Sequence, residues 1–84
     1  MATVAALKRG AVTVIKWSDA AHIAPGEWLE AVPDTRVHVT TVGLLVRTTR
    51  KHVVVAHSLD ESGNVTGVFS IPRTAIRKVY QLTE

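Results

Sequence analysis

The chain has 84 residues, a formal net charge of +3 and no cysteine, so disulfides and thiolate metal sites are excluded. Its 46% hydrophobic content, dominated by valine, indicates one ordered globular domain over residues 1–84. A domain this small buries only roughly 60–65% of the surface its unfolded chain exposes, so homo-oligomerisation is the expected supplement to its stability.

The absence of cysteine fits a reducing cytoplasm. In Met1-Ala2-Thr3-Val4-Ala5-Ala6-Leu7-Lys8-Arg9 the charges follow the short apolar run, the reverse of an export signal. No apolar stretch reaches the roughly 18–20 residues of a membrane-spanning helix, so a cytoplasmic protein without membrane contact is expected. Charge is distributed unevenly. Asp19, Glu27, Glu30 and Asp34 cluster, whereas 35–59 and 62–83 contain no acid. The first acid-free stretch carries Arg36, Arg47, Arg50 and Lys51, and the second carries Arg73, Arg77 and Lys78. Such asymmetry makes either a basic face that attracts anions or a solvated surface whose charges pair across the fold.

Residues 10–17 alternate β-branched and other side chains and predict a first strand. The segment 18–33 is an insertion, with Pro25 suited to the first turn of a short helix through Ala31 and Pro33-Asp34 closing it. Residues 36–48 form the longest strand pattern. Val37 and Val39 share one parity and Val42, Leu44 and Val46 the other, which predicts a bulge or sharp bend at Thr40-Thr41. Gly43 beside it fits a close backbone approach or strong curvature. A polar turn at 48–51 leads into a strand over 52–58, and Asp60-Glu61-Ser62-Gly63-Asn64 reads as a hairpin loop. A strand over 65–71 ends at Pro72, a single 3-10 turn follows through Ala75, and 76–82 is the last strand.

The fold class is therefore mostly β. Five short antiparallel strands, with one short helix or loop insertion after the first and a 3-10 turn before the last, close most simply into a small Sm-like or SH3-like barrel.

Two resemblances bear on this expectation. Trp17-Ser18-Asp19-Ala20, Trp28, Thr41-Val42-Gly43-Leu44-Leu45-Val46, Val53-Val54-Val55-Ala56 and Ile71-Pro72-Arg73-Thr74-Ala75-Ile76 resemble a group of short uncharacterised proteins encoded by bacteriophages and prophages. That group usually has an aromatic where this chain has Leu44, and an acidic turn where it has Thr48-Thr49-Arg50-Lys51. The resemblance implies origin more than function. The run from Val68 to Val79 is similar to the second conserved motif of Sm and Sm-like RNA-binding proteins, in which an apolar strand leads into an Arg-Gly turn and a short final strand. Here Pro72-Arg73 replaces Arg-Gly, and no glycine follows. This likeness implies the barrel architecture and assembly into rings, and not the RNA site.

No catalytic constellation is present in the sequence. His22, His38, His52 and His57 have no metal-ligand spacing, Ser18, Ser58, Ser62 and Ser70 lie in no nucleophile elbow, and Asp60-Glu61 has turn composition. Neither an enzyme nor a metal or other cofactor is expected. Trp17 and Trp28 flank the insertion and are expected to pin it onto the barrel. Arg47, Arg50 and Lys51 fall at one hairpin end, and Arg73 and Arg77 flank the Pro72 turn. Arginine forks suit phosphate, so these five residues are the candidate anion site. The expected function is a non-enzymatic, phage-encoded, homo-oligomeric binding protein capturing RNA or a small nucleotide signal. The alternative is a structural or interaction protein docking onto a host or virion protein through its barrel edge.

Overall fold

The computed structural model describes residues 6–19 and 37–82; the insertion helix predicted over 25–31, together with His22, Trp28 and Arg36, lies outside the described residues. In chain order the elements are β1 (Val12–Asp19), β2 (Val37–Thr48), β3 (His52–Leu59), β4 (Val65–Pro72), a 3-10 turn η1 (Arg73–Ala75) and β5 (Ile76–Gln81). All neighbours are antiparallel in one five-stranded sheet of order β4-β3-β2-β1-β5. The sheet is not closed: β4 and β5 stand at its two edges, joined by η1. Among the described residues, no helix is long and apolar enough to cross a membrane.

One face of every strand feeds a single core. Ile15 and Trp17 from β1, Leu45 from β2, Val53 and Val55 from β3, Ile71 from β4 and Val79 from β5 pack together, all buried. The registers Ile15↔Val79, Leu45↔Val55 and Val53↔Ile71 bring these positions opposite one another. The sheet curls around this core. In a flat sheet β1 and β4, three places apart, would lie roughly 14 Å from each other at the usual strand spacing. Instead the rings of Trp17 on β1 and Phe69 on β4 have centroids 5.9 Å apart.

The curl has local causes, and one corrects the sequence reading. No register shift occurs at Thr40-Thr41, where β1 and β2 pair without interruption from Val12↔Leu44 to Asp19↔Val37. The shift falls instead between Leu45 and Arg47, with a second on the β1–β5 ladder between Lys16 and Trp17. The inward row of β2 is Val39, Thr41, Gly43 and Leu45, and Val42 points outward with 59% exposure. Two non-aliphatic residues in that row disguised its parity. Thr41 faces inward because its Oγ1 accepts the Trp17 indole N–H at 2.9 Å, giving a buried donor its partner. Gly43 faces inward because a Cβ there would stand 3.0 Å from the Ala56 carbonyl oxygen and 3.1 Å from Val55 Cβ. The close approach expected at Gly43 is thus present.

The remaining connections are held by short-range polar contacts. Asp60 closes the β3–β4 turn by accepting the backbone N–H groups of Ser62 and Asn64, each at 2.9 Å, and the Asn64 side-chain amide at 3.0 Å. Buried Thr13 donates to the Ala11 carbonyl at 3.0 Å and accepts from Gln81 Nε2 at 3.0 Å. Gln81 also exchanges hydrogen bonds with the Lys8 backbone, tying the segment before β1 to β5.

Candidate anion-binding site

The β2–β3 turn is built by Thr49. Its backbone N–H donates to the His52 carbonyl at 2.8 Å, and its hydroxyl accepts the His52 N–H at 3.0 Å. These bonds leave Arg50 and Lys51 at the tip, both exposed. At the other wall Pro72, with φ −61°, ends β4, and the Ile76 N–H donates to the Arg73 carbonyl to close η1. The two turns are joined directly, since the Arg73 N–H donates to the Lys51 carbonyl at 2.8 Å. A tight turn and a proline-initiated turn, tied backbone to backbone, hold their side chains around a common space.

That space is a cavity of about 370 Å³ lined by Arg50, Lys51, His52, Pro72, Arg73 and Thr74. Three residues with obligate cationic side chains therefore line one volume. Asp60 and Glu61 follow the far end of β3, roughly 25 Å from His52 at the usual strand rise. Asp19 lines the neighbouring cleft, beyond Pro72 and Thr74. Within the site, Arg73 Nε is buried and has no hydrogen-bond partner among the described residues. A buried donor without an acceptor is unfavourable by about 1–3 kcal/mol.

Of the five sequence-predicted residues, the structure brings Arg50, Lys51 and Arg73 together and separates Arg47 and Arg77 from them. Arg47 lines a different cleft, of about 650 Å³, together with Arg9, Val54 and Val68. The shift at Leu45/Arg47 turns its side chain away from the β2–β3 turn. Arg77 is exposed on β5 and its Nη1 donates to His38 Nδ1 at 2.9 Å, a nitrogen that also lies 3.3 Å from Ser18 Oγ. A guanidinium only donates, so Nδ1 is the acceptor of this bond. His52 and Thr74 are site residues that the charge pattern alone does not reveal. The Pro72 turn was the available signal for Thr74, and the position of His52 immediately after Lys51 was the signal for the histidine.

Among the described residues, no three His, Asp or Glu side chains converge as a metal site. Comparison with protein-family models, with curated proteins and with solved structures found no match for this chain.

Proposed function

We propose that this chain is a non-enzymatic binding module, a small Sm-like or SH3-like barrel that assembles with its own copies and captures a phosphate-bearing ligand, RNA or a small nucleotide. The observation that carries the reading is the convergence of Arg50, Lys51 and Arg73 on one cavity, with the buried Arg73 Nε unpartnered. Guanidinium forks match phosphate oxygens bidentately, and three cations around one space raise the local anion concentration. Support for the barrel comes from the curl that brings Trp17 against Phe69 and from the three-residue link between the edge strands. Among the described residues β4 and β5 are the two edges of the sheet, and such edges suit pairing between copies. A phage-encoded role in sequestering a nucleotide signal is compatible with such a site.

The test is native mass spectrometry on protein purified from bacterial cells without a stripping step, on wild type and Arg73→Glu. An oligomer carrying nucleotide or RNA mass in the wild type, and none in the variant, supports the reading. Identical bound mass in both, or no anion affinity in either, refutes it. A second reading is favoured by β4 itself. All of its residues except Ile71 are exposed, Val68 and Phe69 among them, as a strand docking onto another protein would require. One stoichiometric protein partner without nucleotide is its signature.

A further inference from the structure

Pro72 and Thr74 form a ridge with the basic cavity on one side and a second cleft of about 520 Å³ on the other; both residues line both spaces. The second volume falls within the roughly 300–1,000 Å³ typical of small-molecule sites. Its floor is aromatic. The rings of Trp17 and Phe69 meet with centroids 5.9 Å apart and planes tilted by 52°. Trp17 is only 8% exposed and its indole N–H is committed to Thr41, so it is a fixed support. Phe69, in contrast, is 46% exposed. A half-exposed ring held against a buried indole is a platform on which a planar heterocycle stacks with little loss of side-chain freedom.

The cleft's lining is of the opposite sign to the basic cavity. Thr74 and the acidic Asp19, which shares the strand parity of Trp17, stand beside the aromatic pair. An ionised carboxylate accepts from N–H donors and repels phosphate, whereas Arg50, Lys51 and Arg73 across the ridge attract it. The double cleft therefore has a direction, with an anionic group held at one end and a hydrogen-bonding planar ring at the other. That combination describes a nucleotide.

We propose that the Trp17–Phe69 cleft is the base subsite of a nucleoside-phosphate site whose phosphate occupies the neighbouring basic cavity. The proposal rests on the anion-binding reading above. Phe69 stacks on the base, and Asp19 accepts hydrogen bonds from its edge. Guanine presents two adjacent N–H donors to a carboxylate, while uracil has a single N–H between two carbonyl groups, so guanine is the preferred base.

The test is residue-resolved NMR titration of the full chain with inorganic phosphate, ribose 5-phosphate, GMP, UMP and a short guanosine-rich RNA. Phosphate and ribose 5-phosphate are expected to move the amides of Arg50, Lys51, His52, Arg73 and Thr74. GMP is expected to move these together with Ser18, Asp19, Phe69, Ser70 and the Trp17 indole N–H. GMP should bind about 5- to 150-fold tighter than ribose 5-phosphate, the factor that stacking on one aromatic ring supplies. Phe69→Ala should abolish that factor and leave ribose 5-phosphate affinity unchanged. Phe69→Leu, which keeps the apolar bulk without the π-face, should also reduce it. Asp19→Asn should narrow the preference for GMP over UMP. RNA binding tighter than GMP identifies a strand ligand, and equal affinity identifies a free nucleotide. GMP binding no tighter than ribose 5-phosphate, with both moving the basic-cavity amides, overturns the base subsite and spares the anion site. Failure of every probe to move Arg50 or Arg73 overturns both.

Discussion

Arg73 couples stability to binding in a way that one substitution separates. Its Nε is buried without a partner among the described residues, and the residue lines the same cavity as Arg50 and Lys51. An unpartnered buried donor is unfavourable by about 1–3 kcal/mol, and repulsion from two neighbouring cations adds to this at low salt. Arg73→Met retains an unbranched apolar stem of similar length while removing the donor and the charge. It also leaves the backbone N–H to Lys51 carbonyl bond in place. The variant should therefore be more stable than wild type in phosphate-free, low-salt buffer by about 1 kcal/mol. For a domain of this size that is a rise in Tm of roughly 4–8 °C. Added phosphate or nucleotide should reverse the ranking. A ligand at a hundred times its Kd stabilises the wild type by about 2.7 kcal/mol, and the variant should respond far less. Thermal and urea unfolding across a phosphate series measure both effects. A variant less stable than wild type without phosphate, yet equally responsive to it, would show that Arg73 is a packing residue and refute the reasoning.

Other substitutions probe the frame that positions the site. Thr41→Val should destabilise by about 1–3 kcal/mol by stranding the Trp17 indole N–H, and in a Trp17→Phe background that difference should vanish, as a double-mutant cycle by urea denaturation will reveal. Gly67 has φ +67° in the middle of β4, and a Cβ there would lie 2.9 Å from His57 Cβ. Gly67→Ala should therefore cost about 2 kcal/mol or more, whereas Gly63→Ala, with φ +88° and no atom within 4 Å, should cost only the conformational strain of about 1–2 kcal/mol. Asp60 is held below its ordinary value of 3.8, chiefly by the backbone and side-chain hydrogen bonds of Asn64. Its contribution to the turn is thus fully present above about pH 4 and is lost as pH falls through the depressed folded value. An NMR titration of the Asp60 carboxyl should give a midpoint below 3.8, and a midpoint at or above that value would contradict the turn geometry.

The strand pattern was legible because valine-rich alternation and turn chemistry agree along this chain. Five strands and a 3-10 turn after Pro72 follow from them, to within about two residues at each boundary. The register of β2 was misread because the apolar pattern is blind to why a residue is buried. Thr41 is inside to satisfy an indole, and Gly43 is inside because nothing larger fits, so neither registers as core by hydropathy. The site was legible in part. Arg50, Lys51 and Arg73 belong to two turns whose backbones bond each other, and the sequence marked both turns as basic. Separating Arg47 from this group required the shift beside it, which parity placed several residues too early. The aromatic cleft was not legible at all. Trp17 and Phe69 sit on strands that are not neighbours in the sheet, and only its curl brings them together.

The order of the sheet also has a consequence for the chain while it is being made. β1 leaves the ribosome well before β5, which covers one side of it. At roughly 5–20 residues per second, β1 waits several seconds with a row of amides and carbonyls open along that side. On a polysome the same row is open on every nascent copy at once. Lys16 and its register partner Lys78 lie opposite each other on this ladder, so a foreign strand offering an acid to Lys16 would find a better match than the native one. Fidelity of assembly then depends on how quickly β5 arrives, and slowed translation of residues 76–81 should raise the fraction of chains that pair with the wrong neighbour.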